Sequence, residues 1–142
     1  LAALAKWNIP QDMRYVAQGD FHRERAYAAM HGLMEQDDPP TAIFAANNMT
    51  SLGCLRYFHE HGMRLGVDVS LIGFDEIEML HYSGTALSVV DRDIYRMGQD
   101  AMHLLIRRIQ ERAENADDVC GRQEIFLPTN LVLRGSEKWT GV

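Results

Sequence analysis

The sequence predicts an α/β fold with a doubly wound parallel sheet. Three observations carry that prediction. The runs AIFAA at 42–46 and VSLIGF at 69–74 are nearly continuous apolar stretches of strand length, the pattern of strands covered on both faces. Between them lies a segment of helical periodicity, with Leu52, Leu55 and Phe58 on one side. Two such strands joined through a helix need a crossover, which is right-handed and leaves the strands parallel.

The remaining elements follow in chain order. LAALAKW at 1–7 reads as a helix already in progress and ended by Ile9 and Pro10. It carries no initiator Met, so the chain is expected to be a fragment of a longer protein. RYVA at 14–17 is a short β-rich run. Gly19 and Asp20 then open a second helical stretch, with Ala26, Tyr27, Met30, Leu33 and Met34 at helical spacing, broken by DDPP at 37–40. The helix that starts at Asn48 stops at His61 and Gly62, where glycine suits the turn after a helix. LSVV at 87–90 gives a further strand, and Asp93 can cap a long helix bearing Ile94, Met97, Ala101, Leu104, Leu105 and Ile109. The polar stretch 111–118 reads as a solvated loop. Residues 124–129 and 130–135 read as two β segments joined at Pro128.

Composition excludes several functions. The 142 residues, 46% hydrophobic and 24% charged, suit one globular domain. A net charge of -6 argues against a nucleic-acid surface within these residues, because phosphate binding needs clustered Lys and Arg. No apolar run reaches the roughly 18 residues of a membrane span. Cys54 and Cys120 are far apart and form no CxxC pair, so neither a disulfide framework nor a zinc knuckle is indicated, and a reducing cytoplasm fits. His59-Glu60-His61 places its histidines at i and i+2, off a common helix face, and Glu35 with Asp37 and Asp38 belongs to a polar loop. No metal site and no cofactor are expected. Phosphate-binding and nucleophile-elbow motifs are absent.

In open α/β sheets ligands collect at the carboxyl ends of the strands. Asn47, Asn48, Met49, Thr50 and Ser51 follow the first apolar run, where an amide side chain can both donate and accept. Asp75 and Glu76 follow the second, where a carboxylate can accept from adjacent hydroxyls or ring N–H groups. Either set can also serve locally, Asn47 or Asn48 as a helix cap and Asp75 as a turn residue. Their occurrence on consecutive strand ends favours a polar ligand site.

The chain resembles the lactose/galactose repressor (LacI/GalR) family. PTAIFAANNMTSLG at 40–53 is similar to that family's "PTAIFAAND" followed by a helix with "ALG", and GVDVSLIGFDE at 66–76 to its "vSviGFDD". LSVV at 87–90 with Met97-Gly98, LPTNLVLRGS at 127–136, and GDF at 19–21 match further motifs in the family's order. The departures are Asn48 and Glu76 where the family usually has Asp, and Gly84-Thr85-Ala86 where it usually has a proline pair.

The resemblance implies most of the C-terminal lobe of a periplasmic-binding-protein-like type I fold. On that frame, residues 1–86 belong to the C-terminal lobe, 87–118 supply a strand and helix that complete an absent N-terminal lobe, and 119–142 return to the first lobe. The family's effector contacts fall on Asn47, Asp75 and Phe21, with Arg92 edging the cleft, and its dimer face on Leu52, Leu55 and Met79. The implied function is the sensing, dimerising part of a cytoplasmic, non-enzymatic transcriptional repressor. Its partners would be a small effector (a sugar or nucleobase derivative), a second copy of the chain, and operator DNA through a helix-turn-helix outside these residues. The alternative is a periplasmic sugar-binding component of a transporter. A receiver-like phosphoacceptor role for Asp75 fails because the only lysines, Lys6 and Lys138, lie near the termini.

Overall fold

A computed structural model describes residues 2–114 and 121–138. Along them run α1 (Ala2–Lys6), a 3-10 turn (Met13–Tyr15), α2 (Arg23–Met34), β1 (Ala42–Phe44), α3 (Asn48–Glu60) and β2 (Ser70–Phe74). Then come α4 (Glu78–Ser83), β3 (Ser88–Arg92), α5 (Ile94–Glu114) and β4 (Thr129–Val132). One sheet holds the four strands in the order β1-β2-β3-β4. β1 pairs parallel with β2, and β2 with β3, through registers such as Ala42 with Ser70 and Ile72 with Ser88. β4 closes the sheet antiparallel to β3, with Thr129 opposite Arg92. The α/β class with its mostly parallel sheet is the one the apolar runs predict.

The core forms where α3 lies on β2 and α2 lies on α3. Met30, Cys54, Tyr57, Phe58, Val69, Leu71, Leu87 and Val89 make one buried cluster. The two helices approach closely because Gly53 has no side chain. A Cβ there would come within 2.6 Å of both the Ala26 Cβ and the Arg23 carbonyl. Gly66, at φ 72, gives comparable access to the C-terminal tail, since a Cβ on it would collide with the Gly135 carbonyl.

That tail locks the sheet. The buried Ser136 hydroxyl accepts the Ser88 N–H at 2.6 Å and donates to the Leu71 carbonyl at 2.6 Å, bridging β2 and β3. Its neighbour Arg134 donates to the Leu87 carbonyl at 2.8 Å.

Several expectations change. β1 is an edge strand covered on one face only: Ala42 and Phe44 are exposed while Ile43 is half-buried. Its apolar composition hid this, because an edge strand and a central one can carry the same residues. RYVA at 14–17 forms no strand, and its first residues close the 3-10 turn capped by Asp12 instead. α5 extends to Glu114, so the first part of the expected 111–118 loop is helical, and residues 115–118 lie outside those described. Its arginines sustain this by pairing at i,i+4, as Arg107 does with Glu111. Of the two β segments expected at 124–135, only Thr129–Val132 is a strand, since 121–128 has no partner strand. α4 was not anticipated. Gly84, left-handed at φ 76, ends it.

The strand of the 87–118 segment is the third strand of the same sheet. Its helix is different: no described side chain of α5 is buried, and Ile94, Tyr95, Met102, Leu105 and Ile109 are each at least half exposed. The chain leaves the sheet at Arg92 and re-enters at Thr129, and those two residues are register partners.

Candidate functional site

Because β1, β2 and β3 run parallel, their carboxyl ends share one edge of the sheet. Asn47 follows β1, Asp75 follows β2, and Arg92 ends β3. Asn47 is extended, at φ -165, and its side-chain oxygen accepts the Thr50 N–H at 2.8 Å, capping α3. The capping role is therefore filled by Asn47, and the amide nitrogen is the part of that group suited to a ligand. Asn48 reaches across to the next strand end. With its amide nitrogen turned towards them, it donates to the Phe74 and Asp75 carbonyls at 3.0 and 3.1 Å.

Asp75 has a left-handed backbone, φ 66, a conformation Asp tolerates better than most side chains. Its N–H donates to the Val90 carbonyl at 2.9 Å, which continues the β2–β3 ladder past the end of β2. Its carboxylate is gripped by Arg92, with Nε donating to Oδ1 at 2.7 Å and Nη2 to Oδ2 at 2.9 Å. The guanidinium also lies over the Phe74 ring, 5.3 Å from its centroid. The paired carboxylate raises the Arg92 pKa above its ordinary value.

Glu76, next to Asp75, faces the opposite way chemically, towards the fold. Arg134 donates both guanidinium nitrogens to it, the Ile77 N–H reaches Oε1 at 3.1 Å, and His81 Nε2 lies 3.1 Å from the same oxygen. Burial works to raise the Glu76 pKa. The Arg134 hydrogen bond and charge, helped by Ile77 and His81, outweigh it and hold the carboxyl below its ordinary value.

The structure thus brings Asp75 and Arg92 into direct contact and sets Asn47 on the adjoining strand end. Phe21 stands 72% exposed, at φ 58, on the turn entering α2. Of the residues expected at a dimer face, Met79 is exposed on α4, Leu52 is half-buried on α3, and Leu55 packs against the core. Glu76, Arg134 and Ser136 carry contacts that residue-type reasoning did not assign. The RGS motif at 134–136 was the available signal, because a motif ending in Arg-Gly-Ser beside a strand offers donors to a sheet.

Cys54 is buried and its thiol is pushed up to about 12 by desolvation, so it is not poised as a nucleophile. Among the described residues no group of three His, Cys, Asp or Glu could hold a metal ion, and no helix is long and apolar enough to cross a membrane. An apolar cavity of about 200 Å³ between α2, α3 and β1 is lined by Met30, Leu33, Ile43 and Cys54 and includes none of Asn47, Asp75 or Arg92.

The mostly parallel sheet, with polar groups at the carboxyl ends of β1, β2 and β3, is an α/β domain of the periplasmic-binding type, and the periplasmic binding protein-like domain family matches residues 1–137. The chain belongs to that family, and the relatives it is similar to are LacI-type transcriptional regulators. It is 36% identical over 119 residues to the HTH-type transcriptional repressor PurR of Photorhabdus laumondii, covering 84% of this chain and 35% of that protein. The PurR of Yersinia pestis is 33% identical over the same share of each. Among solved structures, a LacI regulator from Bacillus cereus superposes with a TM-score of 0.82 at 30% identity, over 97% of this chain and 47% of that one. A CelR–cellobiose complex gives 0.80 at 27% identity, over 95% and 39%. A LacI-family regulator from Enterococcus faecium with bound ribose gives 0.75 at 25% identity, over 96% and 48%. The chain spans about a third of the length of the curated relatives it matches.

Proposed function

We propose that this chain is the effector-sensing, dimerising portion of a DNA-binding transcriptional repressor. It takes a small polar effector, a sugar or a nucleoside-like molecule, between two lobes. The observation that carries this reading is the convergence of Asn47, Asp75 and Arg92 at the carboxyl ends of three adjacent parallel strands. Relatives of the same fold are described with cellobiose and with ribose bound, which supports a sugar as the effector class. Asp75 offers acceptors, Asn47 an amide, Arg92 further donors, and Phe21 an apolar ring suited to the flat face of such a molecule. Leu52, Leu55 and Met79 supply the homodimer face, and operator DNA is contacted by a segment outside these residues. The exposed face of α5 fits a helix that completes a second lobe.

The test uses the full-length repressor. Titration calorimetry with ribose, cellobiose and free nucleobases is expected to find a ligand whose affinity falls roughly 10- to 100-fold in Asp75→Asn, the loss of a charge-assisted acceptor. Asn is the informative replacement because it keeps the left-handed backbone that Ala strains. Unchanged affinity in that variant overturns the site.

A further inference from the structure

We infer that Asn48 is a positioning residue for the proposed effector site. Its side-chain amide donates to the strand end that carries Asp75 and holds that carboxylate in place, a task an amide can do and an ionised carboxylate cannot. The link to effector binding rests on the proposed function, whereas the brace rests on geometry alone.

Two adjacent amides divide two jobs. Asn47 caps α3 with its side-chain oxygen. Asn48, the first residue of α3 and half-buried, places its nitrogen 3.0 and 3.1 Å from the Phe74 and Asp75 carbonyls. Since α3 begins just after β1, this contact joins the carboxyl ends of two neighbouring parallel strands.

The β2 end is a turn that needs holding. Pairing of β2 with β3 runs to Phe74, opposite Val90, and Asp75 then takes up a left-handed backbone at φ 66, which a β-carbon disfavours. Its N–H still donates to the Val90 carbonyl at 2.9 Å. The Asn48 amide adds two bonds to the same turn, and the turn sets where the Asp75 carboxylate meets Arg92. A turn that loosens carries the carboxylate away from Asn47 and Arg92, the other two groups of the proposed site.

The kind of group at position 48 matters because both of its targets are acceptors. Aspartate has the same shape, and the start of a helix by itself favours negative charge. Here an ionised carboxylate would instead face two carbonyl oxygens at hydrogen-bonding distance, on a loop that also carries the Asp75 and Glu76 carboxylates. The neighbouring cations are already engaged, Arg92 with Asp75, and Arg134 and His81 with Glu76. The first turn of α3 carries no acidic group. A protonated carboxyl at 48 can still donate one bond, so Asn48→Asp regains part of the brace as pH falls.

The experiment reads amide hydrogen exchange in the full-length protein by fragmentation mass spectrometry, as protection relative to the intrinsic rate. The Asp75 N–H is the reporter. The Leu71 N–H, bonded to the Ser136 carbonyl at 2.8 Å on the same strand, is the control. At about pH 7.5, Asn48→Ala and Asn48→Asp are each expected to cut Asp75 protection about tenfold and to leave Leu71 unchanged. At about pH 5, Asn48→Asp is expected to recover towards wild type while Asn48→Ala does not. Wild-type protection in Asn48→Asp at the higher pH overturns the need for a donor. A loss in Asn48→Asp that is the same at both pH values, or an equal loss at Leu71, makes Asn48 a packing residue and overturns the brace.

Titration calorimetry with D-ribose is the second arm. Where wild type binds ribose, the Kd is expected to rise about tenfold in both variants at the higher pH, and to fall back at the lower pH in Asn48→Asp alone. Ribose affinity unmoved in variants that have lost Asp75 protection overturns the positioning role. Wild type that binds no ribose counts against ribose as the effector, and the exchange data decide the brace by themselves.

Discussion

At the scale of single residues, adjacent carboxylates on one loop have opposite employment. Asp75 and Glu76 both follow β2, yet Asp75 turns its carboxylate to Arg92 at the sheet's carboxyl edge, while Glu76 joins Arg134, Ile77 and His81. The lowered Glu76 pKa sets a pH dependence. A carboxyl whose folded pKa lies below the unfolded one stabilises the fold above its ordinary value, near 4.5, and that stability is lost as pH falls through the folded value. The difference in urea midpoint between wild type and Glu76→Gln is therefore expected to be constant above about pH 5.5 and to shrink steadily below about pH 4.5. A difference that stays flat down to pH 3 contradicts the assignment.

At the scale of elements, the α2–α3 crossing decides how the core closes. Glycine inside a helix costs about 1 kcal/mol relative to alanine, so propensity alone makes Gly53→Ala stabilising. The close contacts reverse that sign, because an added methyl meets the Ala26 Cβ and the Arg23 carbonyl at 2.6 Å. Overpacking of this kind costs roughly 1–3 kcal/mol. Gly53→Ala is expected to lower the melting temperature, and Ala26→Gly in the same chain to recover part of the loss, since it removes one of the two obstacles. A higher melting temperature for Gly53→Ala alone refutes the close-crossing account. Around this crossing the rings of Tyr57 and His61 stack at 3.9 Å, with His31 edge-on to both, so the two helices also share an aromatic seam.

At the scale of the molecule, the chain divides into a part that buries its apolar groups and a part that presents them. Met30 is 1% exposed among α2, α3 and the sheet, whereas Leu105 on α5 is 51% exposed. In the 142-residue chain, Met30→Ala is expected to cost roughly 2–5 kcal/mol in urea unfolding. Leu105→Ser is expected to stay within about 0.5 kcal/mol, because it empties no cavity. Comparable losses for the two show that α5 is packed in solution. In a longer chain where a second lobe covers α5, the Leu105 cost rises towards that of Met30.

Much of this was legible in the sequence for identifiable physical reasons. The apolar run at 69–74 and the periodic helix before it encode local burial, and two apolar runs of strand length joined through a helix are enough to specify a parallel crossover. Asp93 and Gly62 mark helix ends because capping and positive φ depend on the residue itself and its nearest neighbours. The polar residues at consecutive strand ends were equally readable, as Asn47 and Asp75 needed only the position of each strand's last residue. What the sequence could not determine were the outcomes set by residues distant along the chain. That β1 is an edge strand depends on RYVA at 14–17 not pairing with it, and that 121–128 stays out of the sheet depends on where the chain re-enters beside Arg92. Seventeen residues separate Asp75 from Arg92 and fifty-eight separate Glu76 from Arg134, and which carboxylate met which guanidinium was decided only when the strands packed. An ion pair has no periodicity to read, because its strength depends on separation in space and on local shielding from water, both of which exist only in the folded sheet.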